Sequence, residues 1–136
     1  MEDCGPFAYD KDDDYPDFIY PCAVKVASSS PHPLPRGERG RGEGENRGIV
    51  IGFSGQGEAM VANKVKGIRA AVYLGGNLDI IKLSREHNNS NILSLGAGFI
   101  KLEEAKQAVD LWLEIKFEGG RHQRRIDKIK KIEQGL

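Results

Sequence analysis

The chain has 136 residues, 20 Lys and Arg against 20 Asp and Glu, and 39% hydrophobic side chains. That is apolar material for one core, so a single domain over residues 1–136 is expected. The zero net charge argues against a dedicated nucleic-acid or membrane-surface binder, no apolar run approaches a membrane span, and a cytoplasmic protein is expected.

The first twenty residues hold seven acids and one Lys, whereas residues 121–131 hold six bases and one acid. This layout suggests that the two ends face different neighbours. Residues 15–27 show helical apolar spacing, but Pro21 falls inside them and costs roughly 3 kcal/mol, which predicts a kinked or shortened helix. The following stretch, SSSPHPLPRGERGRGEGENRG, is almost empty of apolar side chains. Residues 29–46 are therefore expected to form a disordered insertion. Its arginines alternate with glutamates and no aromatic is present to stack on a base, so RNA binding is disfavoured.

Beyond it, β-branched and apolar runs at 48–53, 68–74 and 91–95 read as buried parallel strands. Segments 57–66, 77–88 and 102–115 carry apolar residues at helical spacing and read as crossover helices, with Asn77 placed to cap the second. Gly119 and Gly120 break the chain before a basic final helix, 121–134. The order β-α-β-α-β-α-α is that of an open α/β sandwich.

Cys4 and Cys22 are far apart in sequence without a CxxC, and read as reduced thiols. His32, His87 and His122 show no metal-ligand spacing, so no metal is expected. The informative segment is Gly52-Phe53-Ser54-Gly55-Gln56-Gly57-Glu58, a glycine-rich turn from strand to helix that aims backbone N–H groups at one point, as an anion requires. Neither GxGxxG nor a Walker sequence is present, which favours a small phosphorylated ligand over a nucleotide. Glu58, on the first turn, either complements the helix dipole or acts as a general base beside a bound sugar phosphate. His87, in SREHNN, is either a capping or surface histidine or a catalyst; the segment is expected at the carboxyl side of the sheet, where open α/β folds gather ligands.

The segments EDCGPFAYDKDDDYPDF, GIVIGFSGQGEAMVANKVKGIRAAV, LSREHNNSNILSLGA and FEGGRHQRRIDKI, in that order, resemble the successive motifs of the ribose-5-phosphate isomerase B and galactose-6-phosphate isomerase family. The resemblance implies a Rossmann-like three-layer α/β/α sandwich with a mainly parallel sheet. It also implies a homodimer with shared active sites, and interconversion of aldose and ketose phosphates through an enediolate without cofactor or metal. By the same resemblance Glu58 is the base, and Ser54 stands where another branch has Cys. Ser54, Gly55, Gln56 and Gly57 surround the sugar and the developing oxyanion. His87 assists ring opening, Asn88 holds the enediolate oxygens, Tyr15 lies near the sugar, and Arg121 and Arg125 reach the phosphate in the neighbouring subunit's site. The substrate class is a phosphorylated sugar, ribose 5-phosphate and ribulose 5-phosphate or a close analogue. Three departures accompany the match: the family's first strand and helix are expected to be absent here, residues 29–46 replace a short connection, and Gly98 stands where the family usually has Arg. The alternative reading is an inactive shortened relative that at most binds a sugar phosphate.

Overall fold

The structure, a computed structural model, describes residues 1–28 and 46–135. All but the last residue of the expected 29–46 insertion lies outside the described residues. The three apolar runs form β1 (Gly48–Gly52), β2 (Ala70–Tyr73) and β3 (Ile92–Gly96). They pair in parallel in the order β1-β3-β2, with Gly48 opposite Ile92, Gly52 opposite Gly96 and Ala70 opposite Ile92. Parallel neighbours need long crossovers, which contain α2 (Gln56–Ala62) and α3 (Asp79–Glu86). Helix α1 (Tyr15–Ser28) precedes the sheet; α4 (Leu102–Glu114) and α5 (Arg121–Glu133) follow it.

Central strand β3 is buried at every position, which is why it reads as an apolar run broken only by Ser94. Its alternation feeds two cores. Ile92 joins Ile19, Ala23, Val26, Val50, Ala62 and Ile68 under α1 and α2. Leu93 and Leu95 join Tyr73, Ile81, Ala108 and Trp112 under α3 and α4. Burial of each such aliphatic side chain contributes roughly 1.5–3 kcal/mol, so both faces of the sheet hold their helices. The result is the expected α/β/α layering around a parallel sheet.

The faces are covered unequally. On the α3–α4 side, Ile49 and Ile51 of β1 remain 37% and 63% exposed. They line a groove of about 1210 Å³ shared with Leu95, Leu102, Ala105 and Val109. Among the described residues, no strand lies on the outer side of β1.

Several elements differ from their sequence expectation. Helix α1 is not shortened at Pro21 but runs on to Ser28, because Ile19, Ala23 and Val26 bury one face on both sides of the proline. Helix α2 stops at Ala62, well before residue 66. There the Asn63 amide leaves the helix and exchanges two hydrogen bonds with the Ala70 backbone, accepting from its N–H at 2.8 Å and donating to its carbonyl at 3.1 Å. Asn77 accepts the Asp79 N–H at 2.8 Å, the capping role expected of it, although the helix proper starts two residues later. Cys4 and Cys22 are free thiols brought beside each other, and burial first, then Cys4, pushes the Cys22 thiol up.

Candidate active site

At the carboxyl end of β1 the chain must turn sharply into α2, and Gly55 makes that turn with φ 73°, a left-handed conformation that glycine adopts without strain. The hydroxyl of Ser94, fully buried in β3, donates to the Gly55 carbonyl at 2.7 Å and pins the loop to the central strand. Ser54 Oγ accepts the Gln56 N–H at 3.3 Å. Two further bonds tie the strand ends together, Ala97 N–H to the Gly52 carbonyl at 2.8 Å and Gly98 N–H to the Phe53 carbonyl at 2.9 Å.

Glu58, on the first turn of α2, is only 7% exposed. Its carboxylate folds back on β1 into the space left by Gly52, where an added Cβ would stand 1.9 Å from Oε1. Among the described residues that carboxylate accepts no hydrogen bond. Tyr15, the first residue of α1, lies across Gly57, where a Cβ would come within 2.6 Å of its Oη. The structure thus gathers Tyr15, Ser54, Gly55, Gln56, Gly57 and Glu58 at one place. Gly98 lies beside this loop under the Phe53 ring, which packs edge-on against Phe99 with centroids 5.5 Å apart.

The other expected residues are elsewhere. His87 and Asn88 follow α3 and precede β3, so they lie at the amino end of the sheet and not at the carboxyl side expected from the sequence. A segment that leads into a parallel strand stands at its start; five residues of β3, about 13 Å of strand, run from there to the Gly55 loop. Asn89 closes α3 in the left-handed region, φ 45°, a conformation that asparagine tolerates better than most residues. Beneath this turn the buried Arg85 guanidinium donates to Asn89 Oδ1 at 2.9 Å, to the Ser90 carbonyl and to the Ile115 carbonyl at 3.3 Å, and lies 5.8 Å from the Trp112 ring. Trp112 Nε1 donates to Ser90 Oγ at 2.8 Å. The Asn88 carbonyl accepts from Arg69 Nε at 3.1 Å.

Helix α5 crosses the same end. Glu118 N–H donates to the Glu86 carbonyl at 3.1 Å before the helix, and near its other end Glu133 accepts the Gly67 N–H at 3.1 Å. Arg121 and Arg125, one turn apart, are both exposed on it. Buried His122 stacks on half-buried His87, centroids 4.1 Å apart and planes 10° from parallel. Burial first, then His87, Arg121 and Arg125, lowers the His122 pKa, against Glu118, whose Oε2 stands 3.7 Å from Nε2. His87, Glu118 and His122 each offer a donor atom within 4.8 Å of the other two, a grouping that their scattered sequence positions conceal. Sequence reasoning also missed Arg85 and Ser94. A lone Arg in the last turn of α3 carried no signal of burial, whereas a lone Ser in the apolar run ILSLG did.

Three parallel strands layered between helices, with a glycine turn and a buried carboxylate at the carboxyl end of β1, define a protein of the α/β class. The chain belongs to the ribose/galactose isomerase family, whose model matches residues 1–129. A probable ribose-5-phosphate isomerase B of Mycoplasma genitalium is 42% identical over 131 residues, covering 96% of this chain and 76% of the relative. A putative sugar phosphate isomerase of Bacillus subtilis is 41% identical over 132 residues, covering 97% of this chain and 75% of the relative. Among solved structures, ribose-5-phosphate isomerase B of M. genitalium with bound ribulose-5-phosphate superposes with a TM-score of 0.81 at 40% identity, over 97% of this chain and 77% of that one. The enzyme of Clostridium thermocellum gives 0.76 at 42% identity, over 91% and 73%. Among the described residues, no helix is long and apolar enough to cross a membrane.

Proposed function

We propose that the chain is an aldose-ketose isomerase acting on ribose 5-phosphate and ribulose 5-phosphate or a close analogue, in the cytoplasm and as a homodimer. The observation that carries this reading is the Glu58 carboxylate, buried against Gly52 beside the Ser54–Gly57 turn with no partner among the described residues. A carboxylate so placed takes the proton from the carbon next to a carbonyl and returns it to the neighbouring carbon. Backbone N–H groups of Ser54, Gly55, Gln56 and Gly57 surround the enediolate oxygen, where charge develops. Tyr15 borders the sugar, His87 moves the ring-opening proton, Asn88 holds an enediolate oxygen, and Arg121 and Arg125 clamp the phosphate. Because the two groups of residues lie at opposite ends of one sheet, the site joins the Glu58 loop of one copy to the His87 and arginine corner of a second. The site so formed needs neither cofactor nor metal, and a single domain over residues 1–136 supplies each copy's share.

Glu58→Gln tests this. Turnover of ribose 5-phosphate should fall by about 10²–10⁴, the usual worth of a general base, while the ligand still raises the melting temperature. Unchanged turnover would refute the assignment. A second reading, a chain that binds sugar phosphate without turning it over, draws on the bare flank of β1, the strand from which the Glu58 loop hangs. It requires a ligand-induced rise in melting temperature with no product formed by the unsubstituted chain.

A further inference from the structure

Glu118 stands four residues before His122, and its bond to the Glu86 carbonyl keeps it beside the end of α3 where His87 projects. One donor atom from each of the three side chains lies within 4.8 Å of the others, the Glu118 to His122 edge at 3.7 Å. We propose that this corner is a binding site for a divalent transition-metal ion such as zinc, held by His87, Glu118 and His122, and that occupancy switches the enzyme off.

The donor set suits zinc, which takes imidazole nitrogen and carboxylate oxygen at about 2.0–2.2 Å and so spaces tetrahedral donors roughly 3.3 Å apart. The longest edge must then contract by about 1.5 Å. That movement is available, because Glu118 is exposed and His87 half-buried, whereas buried His122 supplies the fixed point. Imidazole lone pairs lie in the ring planes, so stacked rings aim them side by side and not at a common point. Metal binding and the stack therefore exclude each other, and His87 is the ring that turns. Three protein ligands leave the fourth position to water. Arg121 and Arg125 on the same helix repel a cation, so binding is weaker than at a structural zinc site.

Coordination occupies the His87 lone pair. Inhibition follows from the isomerase reading; the binding itself does not depend on it. The full chain, stripped with a chelator, should take up one equivalent of Zn²⁺ by calorimetry, and Co²⁺ in its place should show visible absorption bands of a tetrahedral N/O site. Glu118→Gln should weaken uptake at least tenfold, leave metal-free turnover unchanged and abolish the zinc sensitivity of that turnover. His122→Gln should weaken uptake further, with circular dichroism reporting that the fold persists. No saturable Zn²⁺ uptake, uptake undiminished in the Glu118→Gln/His122→Gln double variant, or Co²⁺ thiolate bands from Cys4 and Cys22 would each overturn the proposal. If unsubstituted chain binds Zn²⁺ as described but has no turnover, the isomerase reading fails and the inhibitory role with it, while the metal site stands.

Discussion

The two ends of the sheet build their candidate functional side chains in opposite ways. At the carboxyl end, Ser54 to Glu58 come from one continuous turn, held by Gly55 in its left-handed conformation and one buried hydroxyl, Ser94. At the amino end, His87 is presented by a corner where α3, α5 and the residues before β3 meet, over an arginine bonded to the carbonyls of Ser90 and Ile115. A local turn writes its chemistry into consecutive letters. A corner made from remote segments distributes it across the chain.

Substitution at Gly52 sharpens the contrast most. Gly52→Ala puts a methyl group where Glu58 Oε1 lies and must displace that carboxylate by an ångström or more. Misplacement of that size costs about 100-fold in turnover, so the assay should show that loss while thermal stability changes little. Mixing two inactive chains addresses the opposition of the ends itself. In the proposed homodimer, Glu58→Gln and His87→Ala proteins unfolded and refolded together should recover about a quarter of wild-type activity, since half the dimers would be mixed and each mixed dimer would have one intact site. Recovery of none would break the opposition and place both groups in one copy's site.

The amino-end corner should be more sensitive to its support. Arg85→Met leaves the Ser90 and Ile115 carbonyls without their charged donor and should lower unfolding free energy by about 2 kcal/mol in denaturant titration. The matching change at the carboxyl end is smaller. Tyr73 donates to Glu104 Oε1 at 2.8 Å, and burial first, then Glu104, pushes its pKa from 10.0 up to about 12. Because the folded state holds this proton more tightly, the contribution is complete below pH 10.0 and is lost as pH rises toward about 12. Tyr73→Phe should flatten that alkaline decline in melting temperature and leave the neutral value slightly lower.

This contrast also explains what could be read before the fold was known. The strands and helices were legible because their apolar spacing and glycine or asparagine boundaries are local, and the Glu58 turn was legible for the same reason. Helix α2 ends before its apolar spacing does because Asn63 is recruited by Ala70, seven residues on. Pro21 does not shorten α1 because Ile19, Ala23 and Val26 bury one face on both sides of it, and the extent of that burial is not written in the helix's own residues. The expectation for His87 fails on chain order alone: a segment that runs from a helix into a parallel strand stands at the strand's start, whatever ligands gather at the other end. The Glu118 and His122 partnership requires α5 to cross the end of α3, which no spacing announces.

The bare edge of β1 has a consequence for handling the protein. Among the described residues no strand pairs with the outer edge of β1, so the backbone donors and acceptors beside Ile49 and Ile51 form a template on which another extended chain can add. Solubility should therefore be limited by concentration before heat, with edge-to-edge association producing β-rich aggregates in chains whose helices are still folded. The seven acids of the first twenty residues, two of which, Glu2 and Asp3, line the same groove, oppose that association by mutual repulsion, and salt that screens them should hasten it.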